Sequence, residues 1–175
     1  PNVWIVHYNI ARSGRFLTGK DYQAILAVAP TLIGSKQTGG DVASLIEIVS
    51  ATPSLKHFVV DHQIVPGALF GARGFYSFLA NLNPKFTLDL WRACERGDWA
   101  EAARLRVMVE AFFRDWQAMP GMVTASPALA KIATRAGIYP DMPLRVRAPY
   151  RSGTQDQVHS LRRLLHERYP ELAHA

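Results

Sequence analysis

The sequence predicts an α/β fold on parallel strands, followed by an all-helical segment. Three observations predict it. Short β-branched and aromatic runs alternate with helical patterns through the first 81 residues. The predicted strands are nearly continuously apolar, as strands are when both faces of a parallel sheet are covered. After Asn81 the strand pattern stops, and apolar residues recur only at helical spacing.

The elements follow in order. Residues 3–9 (VWIVHYN) form the first predicted strand, 19–29 (GKDYQAILAVA) a helix and 31–36 (TLIGSK) the second strand. Residues 41–51 (DVASLIEIVSA) are helical, with Asp41 suited to the N-cap because its carboxylate can accept from a free amide of the first turn. Residues 55–61 (LKHFVVD) form the third strand, 64–72 (IVPGALFGA) a short helix and 74–81 (GFYSFLAN) the fourth strand. Strands that alternate with helices pair in parallel through right-handed crossovers. Four such units fit either a doubly wound sheet or half of a (β/α)8 barrel. No glycine-rich phosphate fingerprint follows a strand, since Gly39-Gly40 stands alone, and this disfavours a nucleotide-binding sheet.

In the helical part, Pro84 suits a first helical turn, where its missing N–H is no loss. Asp98 and Glu101 have capping-box spacing. Ala102, Leu105, Val109, Phe112 and Trp116 step by three and four, which predicts one buried stripe. Residues 126–137 and 154–170 make two further helices, joined by the proline-rich YPDMPLRVRAPYR.

Composition bounds the function. A chain of 175 residues, 49% apolar and 19% charged, can bury a core and amounts to one domain or a piece of a larger protein. The net charge is +6, but basic residues are dispersed from Arg12 to Arg168. That reads as a solvated surface and not as a nucleic-acid interface. The single cysteine, Cys94, excludes an intramolecular disulfide and a cysteine-cluster metal site. No apolar run approaches the roughly 18 residues of a membrane span, and no signal peptide is expected. The expectation is a cytoplasmic protein without a membrane partner. The chain opens directly in a strand without Met, which suggests a protein that begins in the middle.

In parallel α/β architectures, functional groups collect at the C-terminal ends of strands. Those ends here carry Tyr8-Asn9, Lys36-Gln37-Thr38, Asp61-His62, and Tyr76-Ser77 with Asn81 beyond. Lys36 closes an apolar run, where an ammonium is expensive to desolvate. Burial lowers a lysine's pKa, and a neutral amine can attack a carbonyl to give a Schiff base. The plainer reading is an aliphatic stem lying along the sheet with its ammonium in water. Tyr8 can relay protons beside such an amine, or be a core tyrosine. Arg12, in the loop after the first strand, can grip a carboxylate bidentately, or be solvated. Asp61 and His62 can line a pocket; as a metal site, VVDH lacks a third ligand. His7 points away from Tyr8 by strand alternation and is read as structural.

Together these residues resemble the dihydrodipicolinate synthase/N-acetylneuraminate lyase family of class I aldolases. The resemblance is carried by VHYNIARSG, IGSKQTGGD, VDHQIVPGALFGARGFYSFLANLNPK and CERGDWAEA. It implies a (β/α)8 TIM barrel of which this chain supplies the last four units, residues 1–97. A C-terminal helical extension, residues 98–175, would follow. It further implies Lys36 as the Schiff-base lysine and Tyr8 as the proton-relaying tyrosine, acting on a pyruvate-type 2-oxo acid without a cofactor. Candidate substrate-binding residues are Arg12, Asn9, Thr38, Asp61 and Tyr76. A homo-oligomer, dimer or tetramer, and an N-terminal half-barrel missing from this chain are also implied. Departures from the family pattern are Gln37 where the synthase branch usually has Glu, Val59-Val60-Asp61-His62 in place of Gly-Asp-Asp, and a loop one residue shorter around Arg12. They point to a paralogous branch with another 2-oxo acid. The competing reading is a non-catalytic half-barrel that serves only in assembly.

Overall fold

A computed structural model describes residues 3–123 and 126–173. Four parallel strands lie in sequence order in one sheet: β1 (Ile5–Asn9), β2 (Leu32–Gln37), β3 (Lys56–Val60) and β4 (Gly74–Tyr76). They are linked through α1 (Gly19–Val28), α2 (Val42–Ala51) and α3 (Ile64–Leu69). The strand order 1-2-3-4 follows from short crossovers, which bring each strand beside the one before it.

Local chemistry sets the helix starts. The Thr18 hydroxyl accepts from Asp21 N while the Asp21 carboxylate accepts from Thr18 N, closing a reciprocal cap on α1. Asp41 caps α2 by accepting from Ser44 N at 2.8 Å. Tyr22, Leu32, Ile48 and Leu55 form one apolar cluster; Leu45, Val49, Val59 and Ala72 form a second.

Three boundaries differ from expectation. Val3 and Trp4 precede β1 and are exposed. β4 stops at Tyr76, and Leu79–Asn81 form a 3-10 turn. The Ser77 hydroxyl accepts from Leu79 N at 3.1 Å, one of the local side-chain bonds with which serine diverts a backbone from a strand ladder. α3 ends at Leu69, because Phe70 N–H closes onto Pro66 O and Gly71 takes φ +98°.

The chain forms two compact units, one running through Tyr76 with Cys94–Gly97, the other made of Ser77–Ala93 and the chain from Asp98 onward. The second unit contains α5 (Trp99–Gln117), α6 (Ser126–Ala136) and α7 (Gln155–Arg168), and most of α4 (Pro84–Glu95). Ala102, Leu105, Val109, Phe112 and Trp116 are the buried residues of α5. Asp98 caps it by accepting from Glu101 N at 3.2 Å, while the Glu101 carboxylate is engaged by Arg104 at 2.7 and 2.9 Å.

At Gly34, which pairs with Lys56, a Cβ would lie 2.5 Å from the Lys56 carbonyl oxygen, a backbone atom that cannot swing aside. Gly34→Ala is therefore expected to lower stability by about 1–3 kcal/mol, the usual range for overpacking. Urea denaturation followed by circular dichroism checks this.

Candidate active site

Parallel register sets the site. Tyr8 pairs with Lys36, Lys36 with Phe58, Phe58 with Gly74, and Val60 with Tyr76. Residues in register share a face of the sheet, so Tyr8, Lys36 and Phe58 form one row. The Lys36 ammonium nitrogen lies 4.2 Å from the Tyr8 ring centroid and 4.7 Å from that of Tyr76. Phe58 meets Tyr76 edge to face at 5.7 Å. A cation over an aromatic face is attracted by about 0.5–1 kcal/mol where water still has access. The two rings thus hold the end of a flexible side chain in one place.

The surroundings are more open than the enclosed cavity expected for this lysine. Tyr8 is 45% exposed and Tyr76 49% exposed, while Lys36 is intermediate. Val6, on the same face of β1 as Tyr8, is exposed too.

The opposite face is polar where an apolar layer was expected. His7, Asn9, Ser35, Gln37 and His57 lie there, joined by Tyr22 of α1 and by Thr52 at the end of α2. Asn9 Nδ2 donates to Gln37 Oε1 and to Leu17 O, each at 2.9 Å, and Asn9 Oδ1 accepts from Leu17 N. Gln37 Nε2 donates to Ser35 Oγ at 2.7 Å and to Tyr22 OH at 3.2 Å. Ser35 Oγ meets His57 Nδ1 at 2.8 Å, and Tyr22 OH meets His7 Nδ1 at 2.8 Å. His57 Nε2 faces Thr52 Oγ1 at 3.0 Å and Thr52 O at 3.2 Å. Burial pushes the His7 and His57 pKa values down and that of Tyr22 up, keeping all three neutral near pH 7.

The expected substrate-binding residues therefore divide. Tyr76 stands at the lysine. Asn9 does not: it is buried on the helix side, and its amide is taken up by Leu17 and Gln37. Thr38 Oγ1 donates to Asn9 O at 2.9 Å, and its N–H reaches the same oxygen at 3.2 Å, so it staples the ends of β1 and β2. Arg12 is exposed on the 3-10 turn Ala11–Ser13 after β1. Asp61 is buried at the start of the 3-10 turn that follows β3. Sequence reasoning missed Phe58 and the roles of Gln37, Ser35 and His57. The signal for the last three was polar residues at alternate positions of otherwise apolar strands. Among the described residues, no three His, Cys, Asp or Glu side chains are grouped to hold a metal ion, and no helix is long and apolar enough to cross a membrane.

A parallel β/α sheet with a lysine and a tyrosine paired in register near the strand ends defines the class: an α/β protein with a candidate amine-based site. The dihydrodipicolinate synthetase family model matches residues 2–168, and the chain belongs to that family. It is 34% identical over 107 residues to the 4-hydroxy-tetrahydrodipicolinate synthase of Neisseria gonorrhoeae, a match covering 58% of this chain and 35% of the relative. Among solved structures it is similar to YagE, an E. coli K12 prophage protein of the dihydrodipicolinic acid synthase family in complex with pyruvate. That match has a TM-score of 0.77 at 21% identity and covers 95% of this chain and 56% of that one. It is also similar to N-acetylneuraminate lyase from Fusobacterium nucleatum, with a TM-score of 0.74 at 18% identity over 94% of this chain and 54% of that one. The chain thus spans little more than half the length of these structures. At such identities the likeness concerns the fold.

His57 gives a pH test. Its folded pKa lies below the ordinary value of 6.5, so the unfolded chain binds more protons as pH falls through that value, and stability falls with it. The urea midpoint should decline from pH 7 to pH 5, and His57→Asn, which cannot titrate, should flatten that slope.

Proposed function

We propose that this chain is the C-terminal half of a (β/α)8 barrel enzyme that forms a Schiff base between Lys36 and a 2-oxo acid of the pyruvate type. In this reading residues 1–97 contribute the last four β/α units, residues 98–175 are a helical extension, and an N-terminal half closes the barrel. The single observation that carries it is the placement of the Lys36 nitrogen over the Tyr8 ring, 4.2 Å from its centroid, in a chain of this family. The exposed apolar side chains on the lysine face of the sheet support it, because such a face is normally covered. The pyruvate held by YagE supports the choice of substrate class.

The chemistry follows from the amine. Neutral Lys36 Nζ adds to the ketone carbon, the carbonyl electron pair moves to oxygen, and a proton passes from the nitrogen to that oxygen to give a carbinolamine. The hydroxyl takes a further proton and leaves as water, and the nitrogen lone pair closes a protonated imine. Tyr8 OH is the group assigned to carry protons in these steps, a role typically worth 10²–10⁴-fold. The imine withdraws electrons, so a C–C bond beta to it can form or break, with the enamine as intermediate. Once closed, the barrel would exclude water from the lysine face of the sheet. Tyr76 and Arg12 are assigned to the substrate, Arg12 to its carboxylate. Thr38 and Asp61 are assigned to the mouth of the pocket, and a homo-oligomer belongs to the same reading.

The test is chemical trapping on the chain joined to its N-terminal half. Incubation with pyruvate and sodium borohydride is expected to add a lactyl-sized mass, which Lys36→Ala and Lys36→Arg should lose. Arginine fails because a guanidinium does not give up its proton to become a nucleophile. Tyr8→Phe should still fold and should slow trapping by at least about 100-fold. No adduct with a panel of 2-oxo acids would contradict the proposal and leave a half-barrel that serves only in assembly.

A further inference from the structure

Backbone partners fix the proton positions through much of the polar layer behind the sheet. Leu17 N–H can only donate and Leu17 C=O can only accept, and both engage Asn9 at 2.9 Å. That fixes Asn9 with Oδ1 toward the N–H and Nδ2 toward the carbonyl. The remaining Nδ2 proton goes to Gln37 at 2.9 Å, so the Gln37 atom facing it is the oxygen. Gln37 Nε2 must then donate both of its protons, one to Ser35 Oγ and one to Tyr22 OH. His57 Nε2 faces the Thr52 carbonyl, which can only accept, so the neutral His57 carries its proton on Nε2 and its Nδ1 accepts from Ser35 Oγ. Tyr22 OH, which accepts from Gln37, also meets His7 Nδ1. His57 Nε2–H is received by Thr52, whose own hydroxyl proton goes to Ile48 O at 2.8 Å.

This layer is built around Lys36. The residues before and after it, Ser35 and Gln37, are joined to each other and each reaches a different neighbouring strand, Ser35 to His57 of β3 and Gln37 to Asn9 of β1. Tyr8, which pairs with Lys36, is flanked by His7 and Asn9; Phe58, on the other side, follows His57. A slip of one residue in β2 would turn Lys36 inward and expose both polar neighbours. The bonds that Ser35 and Gln37 make to Asn9, Tyr22 and His57 would be broken, and buried donors would be left without partners.

We infer that Gln37 is a positioning residue: its carboxamide, by donating twice and accepting once, locks β1, β2 and β3 in the register that sets the Lys36 nitrogen against Tyr8. The inference rests on the Schiff-base reading only for the purpose of that placement. The charge balance is part of it. A carboxylate at position 37 accepts but cannot donate, so the two hydroxyls would turn toward it and their histidines would have to supply protons from Nδ1. His57 Nε2 still faces the Thr52 carbonyl, so His57 would hold both protons. Ionisable groups in the layer are His7, Tyr22 and His57; Glu47 of α2, also between the helices, accepts from Gly19 N at 2.9 Å.

The test is imidazole ¹⁵N NMR on the chain at pH 7.5, with the Lys36 methylene protons followed in parallel. The unaltered chain should show Nε2–H, with an unprotonated Nδ1, at His57. Nδ1–H or averaged signals at His57 would overturn the inference, and this measurement needs no variant. In Gln37→Glu the His57 midpoint should rise by about one unit or more. In Gln37→Met, the upfield shift of the Lys36 methylenes under the Tyr8 and Tyr76 rings should fall by at least half. An unchanged shift in folded Gln37→Met would also overturn it. The two readings fail separately. Correct tautomers without borohydride trapping would contradict the Schiff base alone, and trapping with Nδ1–H at His57 would contradict the network alone.

Discussion

The parallel pairing of Tyr8 with Lys36 is the constraint from which the site follows. Two strands running the same way place paired residues on the same face, and the crossover through α1 makes β1 and β2 neighbours. Once that register is set, the lysine nitrogen falls over the tyrosine ring without any feature of its own to aim it. Tyr76 joins from β4, two strands away, because Phe58 fills the position between and meets it edge to face. The aromatic contacts are weak one by one. Their effect is to reduce the freedom of a side chain with four rotatable bonds.

What holds the register is on the other side of the sheet. A core of aliphatic side chains would stabilise the same layers through contacts that are not directional. Hydrogen bonds between buried amides, hydroxyls and imidazoles are directional, and each one lost leaves a group without a partner. The chain thus separates two tasks. Apolar clusters on α1 and α2 supply burial, and polar groups at positions 9, 35, 37 and 57 specify alignment. Neutral histidines suit this work because each imidazole both donates and accepts within one plane.

Much of this was legible in the sequence. Alternating apolar runs and helical patterns gave the β/α order, and the stripe on α5 appeared at the five positions its spacing predicts. Lys36 and Tyr8 stood out because ionisable groups at the ends of apolar strands need a reason. Other features were not legible, for physical reasons. The length of β4 depends on whether the Ser77 hydroxyl turns back onto Leu79 N, a local choice that composition does not reveal. The inward turn of Asn9 follows from strand alternation, which His7 already obeyed, yet the family resemblance implied a pocket position for Asn9. Gln37 drew notice as a departure from a family pattern, while its bonds to Asn9, Ser35 and Tyr22 required three elements to be brought together in space.

The Lys36 nitrogen rests on the Tyr8 ring on the open face of a four-stranded parallel sheet. Nuclear Overhauser spectroscopy on selectively labelled protein tests it directly. The account predicts cross-peaks from the Lys36 ε-methylene to ring protons of both Tyr8 and Tyr76. Cross-peaks from that methylene to Tyr22 or His57, on the helix side, with none to Tyr8, would contradict it.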